Sequence, residues 1–474
     1  MPVRSPIPRG LMNGTSPPSP FRLELGETLR LAVPLVVANI LQMAVFAIDV
    51  MFVARLGQEA LAASSLAVAL FALINFGFTG LTGAVAPLIA AERGRRANAV
   101  REIRRSVRMG LWLAVLCGLI GMAACALGER LMLATGQSPI LSERAGGFLF
   151  VLSFALMPML IANVLRTFVS AMGRPVFATA ITALAILVNA LGNWTFVFGH
   201  LGMPALGLTG SALSSVVTAI AMAAAYVVAI RSDRRLRRFH LFGRLWRPEW
   251  PRMRQLSAIG LPIGLTIIAE AGLFSAAAFL MGRIGEAELA AHTVALQIAA
   301  IFFQVPFGIG QAATIRVGYH YGAGDAAAIG RAGWASLLVS FGFMFISSTA
   351  MLFAPTLLLS AYVDTSAPDN LALVALAVPY LAVGAAFQLF DGVQAVAAGV
   401  LRGVQDTRIP MIVAVTGYWL PGFGTSIWLG LNTPLEGVGI WIGLAVGLTV
   451  VAALLLLRWH WRERLGLVPA LSAR

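Results

Sequence analysis

Charge is scarce in this chain, and lysine is absent. Only 11% of the 474 residues are charged, and all 34 basic residues are arginine, which we attribute to base composition. A soluble domain has about 25% charged residues. Here 59% of the residues are hydrophobic and the mean hydropathy is +0.86. This composition argues against a soluble domain and indicates an integral membrane protein.

Residues that bind metals or form disulfides are also few. The chain has two cysteines, Cys117 and Cys125, which lie eight positions apart in one apolar segment, and five scattered histidines. That cysteine spacing predicts neither a disulfide nor a metal site. An integral-membrane enzyme is one alternative for this chain. Such an enzyme is expected to cluster His, Asp or Cys at a membrane face, and the sequence contains no motif of that kind.

Long apolar runs account for much of the sequence. A helix needs about 20 apolar residues to cross about 30 Å of hydrocarbon. Strict alternation of apolar and polar residues is absent, which argues against a transmembrane barrel. Divided at charged or Pro/Gly-rich breaks, the chain is predicted to be an all-α integral membrane protein with about twelve transmembrane helices. Clear examples of such runs are 31–54, 176–199, 256–281 and 437–457.

Arginine clusters alternate with loops that carry few charges. The clusters lie in the amino-terminal tail, in 93–108, in 231–254 and in 458–464. The positive-inside rule then predicts that both termini lie in the cytoplasm, with the chain in a bacterial inner membrane. The net charge of +14 follows from this topology. We therefore expect the lipid bilayer as a partner and no nucleic acid.

An internal repeat with an offset of 228 positions divides the chain into halves. A gap-free run of matches at one offset is not expected by chance. With six spans in each half, the repeats point the same way across the membrane and are expected to enclose a central cavity. The matching positions are Pro34, Arg55-Leu56-Gly57, Leu61-Ala62-Ala63, Gly80 and Gly94, followed by Pro262, Arg283-Ile284-Gly285, Leu289-Ala290-Ala291, Gly308 and Gly322.

The repeat and the charge pattern together predict the domain organisation. Two pseudo-symmetric lobes of six helices each, the N-lobe and the C-lobe, are expected around the cavity, joined by an Arg-rich cytoplasmic linker. The polar amino-terminal segment is expected to be a disordered cytoplasmic tail. The predicted segments are the tail 1–28, the N-lobe 29–230, the linker 231–255, the C-lobe 256–458 and a cytoplasmic tail 459–474.

Three acidic residues, Asp49, Glu270 and Asp391, lie inside predicted spans. A charged side chain in hydrocarbon costs at least about 2.5 kcal/mol, so such acids are candidates for function. At 1.5 Å per residue, Glu270 lies about 20 Å before Arg283, and Asp391 lies about 16 Å before Arg402. Both are therefore expected near mid-membrane, with Asp49 closer to the outer face. None of the three aligns with an acid in the other half, which favours a specialised role.

Buried carboxyl groups of this kind suit a bound proton or a sodium ion. A low dielectric disfavours the charged form, so a bound cation neutralises the site and shifts the preferred conformation. The structural alternative is an interhelical salt bridge, for which Arg166 and Arg316 are available on other helices. We interpret His292 as an interfacial or packing histidine. Candidate neutral ligands, with packing an equal alternative for the asparagines, are Gln388, Gln394, Asn189 and Asn193.

Three stretches carry a family resemblance. They are VFAIDVMFVARLG at 45–57, GRP at 173–175 followed by Asn189, Asn193 and GMPALG at 202–207, and FQLFDGVQ at 387–394 followed by VLRG at 400–403 and DTRIP at 406–410. These motifs resemble the multidrug and toxic compound extrusion (MATE) transporters, especially the NorM-like branch. The resemblance extends from about Leu29 to Arg458.

The resemblance implies a twelve-helix, two-lobe antiporter that exports organic, often cationic, compounds by alternating access. The exchanged cation is Na⁺ or H⁺, and no other cofactor is implied. Glu270 of the seventh helix and Asp391 of the tenth are implied to form a cation site, which holds Na⁺ if the protein is sodium-coupled. Asp49 of the first helix is implied to be required as well. Lipophilic organic cations and other drugs are the implied partners, and we expect a monomer.

Met and aromatic side chains suit flat lipophilic cations. Prolines within spans are candidates for bending them during a conformational change. The candidate hinge residues are Pro34 and Pro262 near helix starts and Pro306 within the eighth helix. The candidate cavity residues are Met43, Phe46, Phe274, Phe302, Phe303, Phe387 and Phe390.

Two further alternatives remain at the level of sequence. A lipid-linked oligosaccharide flippase of the same superfamily shares the two-lobe fold, but it usually has additional spans and basic residues in its cavity. The acidic or uncharged character of the spans here argues against it. A channel is disfavoured by a repeat that lacks an obvious filter.

Overall fold

The computed structural model describes residues 19–95, 99–243 and 245–468. Within these ranges the chain is helical, without β-strands. Ten of the described helices are long and apolar enough to cross a membrane, and an eleventh span is a pair of helices bent by 42°. A twelfth, at 408–432, consists of two short α-helices joined by a π-helical turn at Tyr418–Phe423. The all-α, twelve-helix prediction is therefore confirmed.

The spans are numbered α1 to α12 in chain order. The N-lobe contains α1 Pro20–Ala54, α2 Gln58–Arg95, α3 Ala99–Ala126, α4 Pro139–Ser153 with Leu156–Ala171, α5 Val176–Phe198 and α6 Leu208–Ser232. The C-lobe contains α7 Trp250–Ile284, α8 Glu286–Ala323, α9 Ala326–Phe353, α10 Leu371–Gly403, α11 Arg408–Gly417 with Gly424–Asn432, and α12 Glu436–His460. Short helices in the connections are Gly128–Ala134, Arg234–Arg237, Pro355–Leu359 and Pro368–Asn370.

The first helix begins earlier than the sequence predicts. Ser19 caps α1 by accepting a hydrogen bond from the Arg22 backbone nitrogen at 3.4 Å. Glu24 then accepts hydrogen bonds from the Arg316 guanidinium of α8 at 2.8 and 2.7 Å, and Thr28 is fully buried. The prediction of a disordered tail is therefore wrong for 20–28, because this buried ion pair anchors the segment. Residues 1–18 lie outside the described part of the chain.

The connection between the lobes is shorter than predicted. Since α6 ends at Ser232 and α7 begins at Trp250, it spans 233–249 rather than 231–255. Asp233 caps the short helix Arg234–Arg237 by accepting from the backbone nitrogens of Arg235 and Leu236 at 2.7 and 3.2 Å. Buried apolar side chains in the connection hold it against the lobes. Of the predicted tail 459–474, residues 469–474 lie outside the described ranges.

The lobes pack against each other through glycines at positions related by the repeat. A Cβ atom at Gly80 of α2 would lie 2.8 Å from the Gly264 Cα of α7. In the other half, a Cβ atom at Gly308 of α8 would lie 2.9 Å from the Val36 nitrogen of α1. Each residue of the first contact is offset by 228 positions from its counterpart in the second. The same contact therefore occurs twice: in one copy the glycine at which a Cβ atom would clash belongs to the N-lobe and contacts the C-lobe, and in the other it belongs to the C-lobe and contacts the N-lobe.

A second pair of contacts obeys the same offset and is closer still. A Cβ atom at Gly94 of α2 would lie 2.0 Å from the Tyr319 carbonyl oxygen, and one at Gly322 of α8 would lie 1.8 Å from the Ala91 carbonyl oxygen. Real Cβ atoms do not approach so closely, so only glycine permits this packing. The Arg93 guanidinium also lies 5.7 Å from the centre of the Tyr319 ring. Here the two lobes are in backbone contact.

Ion pairs between the lobes lie on the same side of the molecule. At the start of α7, Glu249 accepts a hydrogen bond from Arg108 of α3 at 2.6 Å and also pairs with Arg105. Arg252 of α7 donates to Glu102 of α3 at 2.6 Å. This side, where α1 begins, α2 ends and α7 begins, carries the arginine clusters and is called the arginine-rich face. The lobes are thus tied together at this face by both packing and charge.

Candidate functional site

Asp391 lies near the middle of α10, in the interior of the C-lobe. It is 4% exposed, and its Oδ1 atom has no hydrogen-bond partner among the described residues. Helix α9 approaches α10 closely at this level, since a Cβ atom at Gly392 would lie 2.4 Å from the Met344 Cγ. A small residue beside the acid therefore lets the lobe close around it.

The structure brings Glu270 of α7 and Asp391 together. Their carboxyl groups interact electrostatically, and Glu270 also interacts with the Arg402 guanidinium of α10. The arginines considered from sequence have other partners, because Arg166 donates to Asn39 and Arg316 donates to Glu24. The arginine that interacts with Glu270 is therefore Arg402 of α10, and not one of the two arginines considered from sequence.

Two members of this cluster were missed by sequence reasoning. In the sequence analysis Arg402 only marked the end of a span. It is 11 residues from Asp391, which is about three helical turns, so the two residues lie on the same face of the helix. This spacing was a signal that could have identified Arg402. Tyr418 lies in the π-helical turn of α11, is fully buried, and interacts electrostatically with Glu270, Asp391 and Arg402. No sequence signal pointed to Tyr418, because the turn that orients it is visible only in three dimensions.

Two glutamines of α10 offer oxygen atoms near the acids. Gln388 donates from Nε2 to the Ala299 carbonyl of α8 at 3.2 Å, and its Oε1 has no partner in the described residues. Gln394 is 2% exposed, with its Oε1 also unpartnered. A cavity of about 10 Å³, lined by Gln394, Arg402 and Thr407, adjoins the cluster. That volume is close to the minimum for a single water molecule.

The first lobe contains a separate carboxylate site. The Oδ1 atom of Asp49 accepts hydrogen bonds from the side-chain nitrogens of Asn189 at 2.9 Å and Asn193 at 2.7 Å. Its Oδ2 atom accepts from the Ser215 hydroxyl at 3.0 Å. The Asn189 carbonyl in turn accepts from Ser214 at 3.0 Å. The two asparagines therefore contact Asp49 as donors, and they belong to a different site from Glu270 and Asp391.

Asp49→Asn is expected to disrupt this site. The new amide presents an NH₂ group to donors that now bind a carboxylate, and an unsatisfied buried polar group costs about 1–3 kcal/mol. We expect a lower unfolding temperature and reduced export, measured on purified protein and in vesicles. Ser215→Ala is the matched control, because it removes one donor and keeps the acid. Wild-type stability and export in Asp49→Asn would contradict the prediction.

The candidate cavity residues do not share one environment. Phe387 is 1% exposed and packs against Phe274 and Trp441, with ring centres 6.0 and 5.8 Å apart. Its prediction as a cavity residue is wrong, because it belongs to the core of the C-lobe. Phe46 and Phe390 are each 39% exposed. Met43, Phe302 and Phe303 are half-buried, with Phe302 beside Phe343 and Phe303 stacked on Phe307.

The three prolines lie within continuous helices. Because α1 and α7 begin earlier than predicted, Pro34 and Pro262 are well inside them rather than near their starts. Pro306 lies inside α8, as predicted. The Pro262 carbonyl accepts a hydrogen bond from Thr266 at 2.9 Å, and the Pro34 carbonyl accepts from Thr179 of α5 at 2.7 Å. These hydroxyl groups provide local polar contacts where prolines interrupt the helices.

The fold and these sites define a polytopic membrane protein of two repeated lobes, each with a carboxyl group held inside a span. Residues 34–195 and 262–427 match the family model described as MatE, so the family pattern occurs twice and starts again after 228 positions. The chain belongs to the MATE family and is NorM-like.

The relatives and solved structures agree with this assignment. The chain is 45% identical to "Probable multidrug resistance protein NorM" of Mesorhizobium japonicum, covering 95% of this chain and 97% of that protein. It is 42% identical to the protein of that name from Brucella suis, covering 95% of each. The eukaryotic MATE transporter AtDTX14 superposes with a TM-score of 0.83 at 20% identity, over 93% of this chain and 96% of that one.

A structure described as an outward-facing MATE family transporter of the MOP superfamily superposes with a TM-score of 0.82 at 19% identity. It covers 96% of this chain and 99% of that one. At these identities the structural likeness establishes the fold.

Proposed function

We propose that this chain is an antiporter that exports organic, often cationic, compounds in exchange for Na⁺ or H⁺. Relatives more than 40% identical are called probable multidrug resistance proteins, which supports the class of cargo. The observation that carries the coupling is the buried cluster of Glu270, Asp391 and Arg402. It combines two acids with one guanidinium deep in a lobe.

The charge of the cluster explains how it selects a cation. With all three groups ionised, two carboxylates and one guanidinium leave one net negative charge. An uncompensated charge in a protein interior is costly, so one proton or one sodium ion stabilises the site. A cation that binds one conformation more tightly shifts the equilibrium between conformations, which is the requirement for coupling. The simplest stoichiometry is therefore one monovalent cation bound at this site in each transport cycle.

Alternating access follows from the interface between the lobes. We place the arginine-rich face in the cytoplasm of a bacterial inner membrane, with both termini on that side, because positive loops stay inside. The described conformation is then closed towards the cytoplasm. A cation arriving from outside at Glu270 and Asp391 favours release of the drug, and rocking of the lobes then carries the cation-loaded site to the cytoplasmic side, where the cation leaves and the drug binds. The protein acts as a monomer, and Asp49 is a separate proton or substrate contact.

The decisive experiment uses purified protein in liposomes that have ethidium at the same concentration inside and outside. A sodium gradient and a pH gradient are imposed in separate samples, and ethidium fluorescence reports transport. We expect one gradient to drive ethidium against its concentration gradient, and that gradient identifies the coupling ion. Protein-free liposomes under the same gradients are the control. If neither gradient drives transport by active protein, the proposal of cation coupling is wrong.

A further inference from the structure

Four residues of the C-lobe, His292, Trp441, Gln388 and Asp391, have buried polar atoms without a hydrogen-bond partner among the described residues, and they are called the row. Both ring nitrogens of His292 on α8 and the Nε1 atom of Trp441 on α12 have no hydrogen-bond partner in the described residues. Their side chains are 1% and 0% exposed. The other two atoms are Gln388 Oε1 and Asp391 Oδ1. Buried polar groups are normally hydrogen-bonded, so the atoms of this row need an explanation.

The order of these residues follows from the register of α8 and α10. Gln388 donates to the Ala299 carbonyl, and a Cβ atom at Gly399 would lie 2.4 Å from the Gly310 carbonyl oxygen. Both pairs are 89 positions apart, so the two helices run side by side in constant register. His292 is then level with residue 381 of α10. From there to Asp391 is ten residues, or about 15 Å along the helix.

Aromatic side chains surround the outer end of this row. The His292 ring lies 5.6 Å from the Trp441 ring, and Tyr380 stacks on Trp441 at 6.2 Å. Glycines make room for the rings, since a Cβ atom at Gly384 would lie 3.3 Å from Trp441. A Cβ atom at Gly437 would lie 1.9 Å from the Tyr380 hydroxyl. The packing excludes lipid but leaves the polar edges of His292 and Trp441 unsatisfied.

Acidic residues lie at the outer end of the row. Glu288 near the start of α8 and Glu436 at the start of α12 both interact electrostatically with Tyr380. Both helices begin at the face opposite the arginine-rich face. Negative charge at the mouth of a polar route raises the local concentration of cations. The row therefore runs from an acidic mouth, past His292 and Trp441, to Gln388 and Asp391.

We propose that this row is a water-filled path inside the C-lobe that delivers the coupling cation from the opposite face to Asp391. An ordered water molecule can satisfy buried polar groups where two or more of them lie close enough to bind it. The four residues of the row supply both hydrogen-bond donors and acceptors for such water molecules. His292 is a positioning residue that holds water at the level of Trp441. This inference rests on the proposed cation coupling, and it adds the route by which the cation arrives.

Hydroxyl-radical footprinting of the purified full chain tests whether water is present. The radicals label side chains that contact ordered water even when these side chains are buried. We expect labelling of His292 and Trp441, and protection of Met109, which is fully buried in the N-lobe. Methionine is highly reactive towards these radicals, so Met109 is a stringent control. Protection of His292 and Trp441 to the level of Met109 would overturn the proposal.

Two variants test whether the path carries the cation. His292→Phe fills the site without a polar atom, and we expect it to slow gradient-driven efflux about tenfold, the effect of losing roughly one hydrogen bond. Trp441 should also lose its labelling. His292→Gln retains donors and acceptors and should remain close to the wild-type rate. Drug affinity at equilibrium should be the same in both variants, whereas a purely structural role would lower stability and drug binding together.

Asp391→Asn in the same vesicles separates this proposal from the proposed function. If Asp391→Asn is inactive while His292→Phe transports at the wild-type rate, the path is wrong and cation coupling at Asp391 stands. If Asp391→Asn also retains gradient-driven transport, the proposed function itself fails. Should His292→Phe not fold, the footprint of the wild-type protein still decides whether the row contains water.

Discussion

Asp391→Asn is expected to abolish the dependence of transport on the coupling gradient. The substitution preserves the shape of the side chain and leaves Glu270 and Arg402 as a neutral pair, so no net charge remains to attract a cation. Losing one interaction with a charged group costs about 1.5–3 kcal/mol. Since about 1.4 kcal/mol corresponds to tenfold in affinity, we expect cation binding to weaken about tenfold to a hundredfold. Glu270→Gln should have the same effect.

The measurement is gradient-driven ethidium efflux per mole of folded, reconstituted protein. Asp369→Asn is the matched control, because Asp369 is exposed in the connection before α10 and should tolerate the change. Asp391→Asn combined with Arg402→Gln restores one net negative charge, so part of the cation dependence should return. Wild-type gradient dependence in Asp391→Asn would refute the role given to the cluster.

Gly322→Ala is expected to prevent the lobes from closing at the arginine-rich face. The added Cβ atom would lie 1.8 Å from the carbonyl oxygen of Ala91, a backbone atom that cannot rotate away. Relief requires α2 and α8 to separate, and overpacking of this kind costs about 1–3 kcal/mol or more. We expect transport to fall at least about tenfold, because a cost of 1.4 kcal/mol changes a conformational equilibrium by that factor. Gly94→Ala should reduce transport in the same way, because the repeat makes the contact of Gly94 with Tyr319 equivalent to the contact of Gly322 with Ala91.

Spin labels at the exposed positions Arg101 and Arg254 report the separation of the lobes at this face. We expect the distance distribution in Gly322→Ala to shift to longer values. Gly83→Ala is the control, because it adds the same methyl group on α2 at a position where a Cβ atom meets no other atom within 4 Å. An unchanged distance and normal transport in Gly322→Ala would show that the contact is not part of the closed interface.

Sequence reasoning was most successful where the signal is local. The family match begins at Pro34 and again at Pro262, and the interlobe contacts obey the offset of 228, as the repeat predicts. It was less successful at helix ends. The polar composition of the amino-terminal segment predicted a disordered tail to residue 28, whereas pairing of Glu24 with Arg316 keeps the turn around Glu24 helical and buried. A partner 292 positions away leaves no mark on the local pattern.

The site shows the same division. Sequence identified Glu270, Asp391 and Asp49, because acids are conspicuous in an apolar background. It did not identify Arg402 as the partner of Glu270, nor did it predict that Asn189 and Asn193 donate to Asp49. Phe387 looked like a cavity residue, but its ring packs inside the C-lobe. In a span that is apolar all round, hydrophobic periodicity gives little information on which face meets protein and which meets lipid.

The sequence by itself determined that this protein spans the membrane, that it is built from two parallel repeats, and that three acids need an explanation. These conclusions rest on hydrophobicity, arginine content and spacing, which are properties of each segment alone. The tertiary structure decided which groups share a site: Glu270 and Asp391 with Arg402 and Tyr418 in one lobe, and Asp49 with two asparagines and Ser215 in the other. The physical reason is that electrostatic and hydrogen-bond partners depend on how helices are rotated and packed. Glu270 and Asp391 are 121 positions apart, and Asp49 and Asn189 are 140 positions apart, so these pairs meet only after folding.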